Sequence, residues 1–229
     1  MQTGPGTWPN AVVFDLDGTV ADSQEGILRS LRETLDAFGR REDDEVLRGL
    51  IGPPLDESFR ELGFAKAQLP AVTAYYRDVY DRVGVALARP YDGIPEVLDH
   101  LRERGVRLAL ATAKRIDFAE RMLRDLGLRD HFEDVAGAPL DNSMTPKAQI
   151  VAAVRSVFAD ARSPAWMVGD RHHDVEAALI HGLVPVGALW GYGSRAELAG
   201  AGARWLVARP ADLLTPIDAG DGPRGETTA

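Results

Sequence analysis

Four short apolar runs, Ala11–Phe14, Arg107–Ala111, Ala165–Val168 and Val184–Leu189, constrain this chain most. Each is bounded by Asp, Gly, Thr or Pro and reads as apolar on both faces, as strands buried in a parallel sheet do. Helical stripes separate them: Ile94, Val97, Leu98 and Leu101; then Phe118, Met122, Leu123 and Leu126 ahead of Gly127. Ile150, Val151, Val154 and Phe158 mark the next, and Val175, Ala178 and Leu179 run up to Gly182. A glycine just past each of two stripes is the residue a helix C-terminus favours. Strand, helix, strand, helix is the order of an α/β fold with a parallel sheet.

Residues 22–87 break that rhythm. Ile27, Leu28, Leu31, Leu35 and Phe38 form one helical stripe, and Val72, Tyr75, Tyr76, Val79 and Val83 another. Between them Gly52-Pro53-Pro54 interrupts shorter helical stretches. The expected architecture is therefore an α/β core from 11–21 and 88–215, with an all-helical domain at 22–87 inserted after the first strand. The ends, 1–10 and 216–229, lack periodic apolar positions and are expected to be mobile.

Composition narrows the function. The 229 residues include no cysteine, so disulfides, cysteine nucleophiles and thiolate metal sites are excluded. A net charge of −9 argues against a nucleic-acid or anionic-membrane partner, though not against a small anionic substrate met by a local field. No apolar run reaches the ~18 residues of a membrane span and no signal peptide opens the chain, so a soluble, cytoplasmic protein is expected. Only three of the 26 basic residues are lysines, Lys66, Lys114 and Lys147, which singles each of them out.

The strongest chemical signal is Val12-Val13-Phe14-Asp15-Leu16-Asp17-Gly18-Thr19. An apolar strand ends in two carboxylates at i and i+2, which a pleated chain aims to one side, and Gly18 permits a tight exit. Ligands of open α/β sheets bind outside the carboxyl ends of strands, where this pair sits. Met167-Val168-Gly169-Asp170 ends a second run, with Asp174 one helical turn later. Four carboxylates at two strand ends make an oxygen-rich site suited to Mg²⁺. Thr112 ends the run Leu108–Ala111, where its hydroxyl and the N–H groups of a following helix start can hold a phosphate. Lys147 opens the helix of Ile150 and Val151, and a cation at that end of the dipole calls for a compensating anion.

In this order, Asp15-x-Asp17-Gly18-Thr19, Thr112, Lys147 and Gly169-Asp170-x-x-x-Asp174 resemble the four motifs of the haloacid dehalogenase-like superfamily. The helical insertion resembles the cap of its phosphoglycolate-phosphatase-like branch, and Gly191-Tyr192-Gly193 after the last expected strand fits that branch too. The resemblance spans roughly residues 11–215 and implies a Rossmann-like core. It also implies a Mg²⁺-dependent phosphomonoester hydrolase working through an aspartyl phosphate. Asp15 would be the nucleophile and Asp17 the general acid and base. Asp15, the backbone carbonyl of Asp17, Asp170 and Asp174 would serve the metal, and Thr112, Ala113 and Lys147 the phosphate.

The third motif reads Met144-Thr145-Pro146-Lys147-Ala148 and lacks the Lys-Pro pair frequent in that branch. In the second, Ala113 stands where Asn or Ser is common. Lys114, Arg48 and Gly52 are candidates for substrate contact, with Pro53 and Pro54 beside them. Trp190 and Tyr192 are candidates to line the pocket. Adjacent side chains at a helix start diverge, which tells against a metal site at His172-His173. The implied substrate is a small phosphorylated metabolite, with 2-phosphoglycolate or a nucleoside 5′-monophosphate leading, handled by a monomer or homodimer. A sugar phosphomutase shares Asp15 and Asp17, whereas a receiver-type signalling domain is disfavoured by Asp17 and by the large insertion.

Overall fold

The computed structural model describes residues 8–52, 55–140, 145–158 and 165–215. The expected mobile ends at 1–7 and 216–229, with Pro53, Pro54 and Met144, lie outside the described residues. Residues 8–10 depart from that expectation. Trp8 packs against His100 with ring centroids 6.3 Å apart and lies 4.3 Å under the Arg104 guanidinium, so this stretch is docked.

Strand β1 (Ala11–Phe14) is followed by the short β2 (Ala21–Asp22) and by four helices, α1 (Gln24–Ala37), α2 (Asp44–Gly49), α3 (Leu55–Glu61) and α4 (Leu69–Val79). A π-helical turn over Tyr80–Gly84 and a 3₁₀ turn over Val85–Leu87 lead to β3 (Arg89–Pro90). β2 and β3 pair antiparallel, Ala21 opposite Pro90 and Asp22 opposite Arg89. The chain thus enters and leaves the helical insertion through one narrow ribbon. Inside the insertion Phe59 is buried between Phe64 and Tyr76, edge-on at 5.6 and 6.1 Å, a geometry aromatic quadrupoles favour.

The core continues with α5 (Ile94–Glu103), β4 (Arg107–Arg115), α6 (Ile116–Asp125), β5 (Asp134–Ala138) and α7 (Lys147–Ala153). It ends with β6 (Trp166–Gly169), α8 (His172–Ile180), β7 (Val184–Ala188), α9 (Arg195–Ala201) and β8 (Trp205–Val207). Six of these strands form one parallel sheet in the order β5-β4-β1-β6-β7-β8. β1 is central, with Val12 opposite both Leu108 and Trp166. Its side chains alternate as the pleat requires. Val12 and Phe14 join a core that includes Ile94 and Leu98 of α5 and Met122 of α6. Ala11 and Val13 join Ile150 and Val151 of α7 and Ala178 of α8 on the other face.

From β1 the order runs through β4 and β5 to one side and through β6, β7 and β8 to the other. The carboxyl end of β1 therefore lies at a topological switch point, where open α/β sheets bind ligands. The two outermost strands were not anticipated. β5 (Asp-Val-Ala-Gly-Ala) is half-exposed throughout and lacks the two-sided apolar run of an interior strand, and β8 (Trp-Leu-Val) is apolar but only three residues long.

Candidate active site

Asp15 stands immediately beyond β1, and its N–H donates to the Val168 carbonyl of β6 at 2.9 Å. The chain then curls. The Leu16 carbonyl accepts from the N–H groups of Val20 and Ala21, both at 2.9 Å. Asp170 follows β6 and Asp174 lies in the first turn of α8, where its Oδ2 accepts from the Arg171 N–H at 3.1 Å. Asp15, Asp170 and Asp174 each present a carboxylate oxygen within 4.8 Å of the others. Lys147, the first residue of α7, places Nζ 2.6 Å from Asp15 Oδ1 and 2.7 Å from Asp174 Oδ1. The anions that offset this lysine's unfavourable place on the helix dipole are thus carboxylates of the chain itself.

Both halves of this cluster are buried. Burial pushes the Asp15 carboxyl up to about 7 against the pull of Lys147, with the charge of Asp174 adding to the rise. Burial, then Asp174 and Asp15, push Asp170 up to about 8. Burial works against the charge on Lys147, but Asp15 and Asp174 outweigh it and hold the ammonium above its ordinary range. An all-carboxylate donor set whose members resist ionising together fits a hard divalent cation, which would supply the missing positive charge.

Asp17 is bound to other partners. The regular strand stops at Phe14, so the pleat does not carry Asp15 and Asp17 onto one set of contacts. Asp17 Oδ1 accepts from Ser23 Oγ at 2.5 Å, and Lys114 Nζ lies 3.0 Å from Oδ2. Lys114 also donates to the Tyr80 hydroxyl at 2.7 Å, so a buried lysine joins Asp17 to the helical insertion.

Thr112 is 1% exposed, but it does not start a helix. β4 runs on to Arg115 through a bulge, with Ala111 opposite Ala136 and Arg115 opposite Ala138. Its Oγ1 accepts from the Lys114 N–H at 3.1 Å, inside the bulge, a device that re-aims side chains beside many sites. Ala113 is exposed in the same bulge.

The Trp190–Gly193 loop ties these parts together. Trp190 Nε1 donates to the Thr19 carbonyl at 3.0 Å, and the Tyr192 N–H to Asp170 Oδ2 at 2.8 Å. The Tyr192 hydroxyl accepts from the Ser23 N–H at 3.0 Å. A Cβ at Gly191 would sit 2.2 Å from the Gly18 carbonyl oxygen, and one at Gly193 1.8 Å from that of Asp170. Only glycines let this loop lie on both acidic turns.

Other candidates fall elsewhere. Arg48 is exposed and 3.9 Å from Asp44 on its own helix. Gly52 rests against the side chain of Arg171 rather than over the carboxylates. The His172 and His173 rings do not diverge as expected but lie 3.7 Å apart, and His172 Nδ1 is 2.8 Å from Glu197 Oε1. That carboxylate also accepts from the Arg171 Nε–H at 2.9 Å. Burial would raise Glu197, but the hydrogen bonds from His172 and Arg171 pull it down to about 2. Ser23, Tyr80, Arg171 and Glu197 escaped the reading of the sequence. Only Arg171, the first of the three residues between Asp170 and Asp174, falls within a motif.

A family model described as haloacid dehalogenase-like hydrolase matches residues 12–187. The chain belongs to the haloacid dehalogenase-like hydrolases. Among relatives of this chain, the tyrosine-protein kinase PtkA of Mycobacterium tuberculosis is 40% identical over 192 residues, 83% of this chain and 66% of PtkA. The chain therefore spans just under two thirds of that relative's length. A 5′-nucleotidase of Pseudomonas aeruginosa is 36% identical over 193 residues, 83% of this chain and 87% of its own. The solved structure of a predicted phosphatase from Clostridium acetobutylicum superposes with a TM-score of 0.83 at 34% identity, covering 90% of this chain and 97% of that one. No helix among the described residues is long and apolar enough to cross a membrane.

Proposed function

We propose that this protein hydrolyses small phosphate monoesters through a phosphoryl group held on Asp15. The observation that carries the reading is the division of the acids. Asp15 shares Lys147 with Asp174 and lies beside Asp170, while Asp17, two residues on, is held apart by Ser23 and Lys114. That division supports giving one carboxylate to phosphorus and the other to protons.

Asp15 attacks phosphorus, forming a carboxylate O–P bond as the ester P–O bond breaks. Asp17 gives its proton to the departing ester oxygen, then removes one from the water that cleaves the acyl phosphate. Lys147 and the Thr112 hydroxyl hold the non-bridging oxygens as charge moves between them. Mg²⁺, held by Asp15, Asp170 and the Asp17 carbonyl with Asp174 in support, would screen the phosphate from the Asp15 carboxylate. The insertion, joined to Asp17 through Tyr80 and Lys114, would keep bulk water from the site.

The kinship to a 5′-nucleotidase favours a nucleoside 5′-monophosphate as substrate, with 2-phosphoglycolate the next choice on the motif resemblance. A cytoplasmic place suits such metabolites. The test is phosphate release from nucleoside 5′-monophosphates, 2-phosphoglycolate, hexose phosphates and an aryl phosphate, with Mg²⁺ or with EDTA. Release with Mg²⁺ alone, abolished in Asp15→Asn without loss of helical content, supports the reading. Release that survives Asp15→Asn sinks it. Isomerised sugar phosphate in place of free phosphate would mark a mutase.

A second reading rests on the 40% identity to the tyrosine-protein kinase. In it a phenol replaces water as acceptor. Labelled ATP offered with a tyrosine-containing peptide separates the two, since label would then appear on the peptide instead of in free phosphate.

A further inference from the structure

Arg171 lies between the two acids of the last motif, yet its side chain bonds elsewhere. Its backbone N–H holds Asp174, while Nε reaches Glu197 and one terminal nitrogen donates to the Ile51 carbonyl of the insertion. Ile51 is two residues past the end of α2, where carbonyls lack helical partners and a cation is favoured by the dipole. Gly52 makes the contact possible. It has φ +112°, and a Cβ there would lie 2.6 Å from the same Arg171 nitrogen. Glu197 in turn accepts from the His172 N–H at 3.0 Å and pairs with His172 Nδ1, so the carboxylate that aims the guanidinium also anchors the start of α8.

We propose that Arg171, aimed by Glu197, is a positioning residue that latches the Ile51–Gly52 loop of the insertion onto the turn carrying Asp170 and Asp174. Closure over the site is then set from the core, by a guanidinium one residue from an acid of the site. Arginine suits the task because its planar fork serves two acceptors in fixed geometry, which a lysine cannot do.

The latch is tested from both sides, with Arg171→Ala in the core and Gly52→Ala in the insertion. Amide hydrogen exchange is read at Leu50 and Ile51, whose N–H groups bond to Leu47 and Arg48. Both variants should exchange there about tenfold faster than the parent, with α1 unchanged, and the double variant no faster than either single one. Arg171→Lys should fall between the parent and Arg171→Ala. The kinetic half of the inference rests on the hydrolase reading. KM should rise about tenfold in both single variants while the Mg²⁺ concentration giving half-maximal rate stays put, because the Arg171 backbone still holds Asp174.

Unchanged exchange at Leu50 and Ile51 in the folded variants, or additive effects in the double variant, would overturn the latch. If the parent releases no phosphate, the hydrolase reading fails and the exchange measurement still decides the latch. Gly52→Ala leaves the acidic turn untouched, so it separates loss of the latch from damage to Asp170 or Asp174.

Discussion

At the end of the sheet, Asp15, Asp170 and Lys147 are placed by backbone: two follow the central strands β1 and β6, and the third opens a helix. On the side of the insertion, three long basic side chains of the core make the reach instead. Lys114 meets Tyr80, Arg171 meets the Ile51 carbonyl, and Arg121 meets Asp81 at 2.6 Å. The first group is fixed as soon as the parallel sheet forms in register. The second exists only once the helical insertion has docked, and each contact joins residues that no local pattern links. On the proposed reading, chemistry falls to the sheet end, the rigid half, and closure to the insertion, the adjustable half, a division that leaves room for specificity to change without disturbing the acids.

The largest effect should come from the rigid half. Lys147→Ala leaves Asp15 and Asp174 buried without their shared cation, and removing one partner of a buried ion pair destabilises by about 3–5 kcal/mol. Urea unfolding in EDTA at pH 8 should show that loss. Phosphate release should fall by about 10²–10³-fold as the phosphate loses a charged donor. Unchanged stability would mean that the acids share their charge with solvent and that the sheet end is no more rigid than the insertion.

Lys114→Met should come next. It removes a buried ammonium from Asp17 and Tyr80 while keeping an apolar stem against the ring. Turnover should fall about 10–100-fold, because Asp17 is freed to swing as the proton donor, with stability lowered by about 1–3 kcal/mol. Steady-state kinetics with urea unfolding check both. A fall in stability with turnover intact would make Lys114 a strut of the insertion only.

How much of this could be read along the chain follows the same division. The interior strands β1 and β6 were legible because both faces are apolar, and Asp15, Asp17 and Asp170 because they close those runs. The edge strand β5 was not, since its half-exposed Asp-Val-Ala-Gly-Ala carries no period. Thr112 was expected at a helix start because Thr favours such places, but sheet pairing with β5 carries β4 three residues further. Arg171, just ahead of α8, and Glu197 of α9 are 26 residues apart and meet only in the fold, and nothing in their spacing announces a pair. Arg48 and Gly52 were singled out as substrate contacts by their nearness to the Gly-Pro-Pro break. Arg48 turned to its own helix and Gly52 to Arg171, which only docking decides.

A smaller effect tests the electrostatics of the rigid half alone. Asp15 and Asp170 rise from an ordinary 3.8 to about 7 and about 8 on folding. Acids raised in this way stabilise the fold when protonated. Their contribution is complete below about pH 4 and is lost as pH climbs through 7 and 8. Glu197 works the other way, its contribution falling only as pH drops from 4.5 toward 2, outside this window. Melting temperature in EDTA should therefore fall by a few °C, on the order of ~5 °C, between pH 6 and pH 9. Mg²⁺ should remove the slope, because a bound cation favours the ionised acids. A flat profile in EDTA would show that Lys147 neutralises the cluster unaided.

Arg121→Ala should do least, and that is its use. Arg121 joins α6 to the insertion, as Lys114 joins β4, and its ion pair with Asp81 is short at 2.6 Å, but both partners remain exposed, at 42% and 58%. Water and salt screen such a pair, and ordering two long side chains offsets much of what is left, so about 0–1 kcal/mol is expected. Turnover should stay within about twofold, and the loss should vanish at high salt. Set beside Lys114→Met, the comparison stays on one seam and contrasts a buried contact that reaches Asp17 with an exposed one that does not. If Arg121→Ala slows turnover as much as Lys114→Met, then docking of the insertion as a whole governs the rate, and the buried lysine has no special hold on Asp17. If only Lys114→Met does, control of Asp17 is local to that buried side chain, and the exposed rim adjusts docking without touching the chemistry.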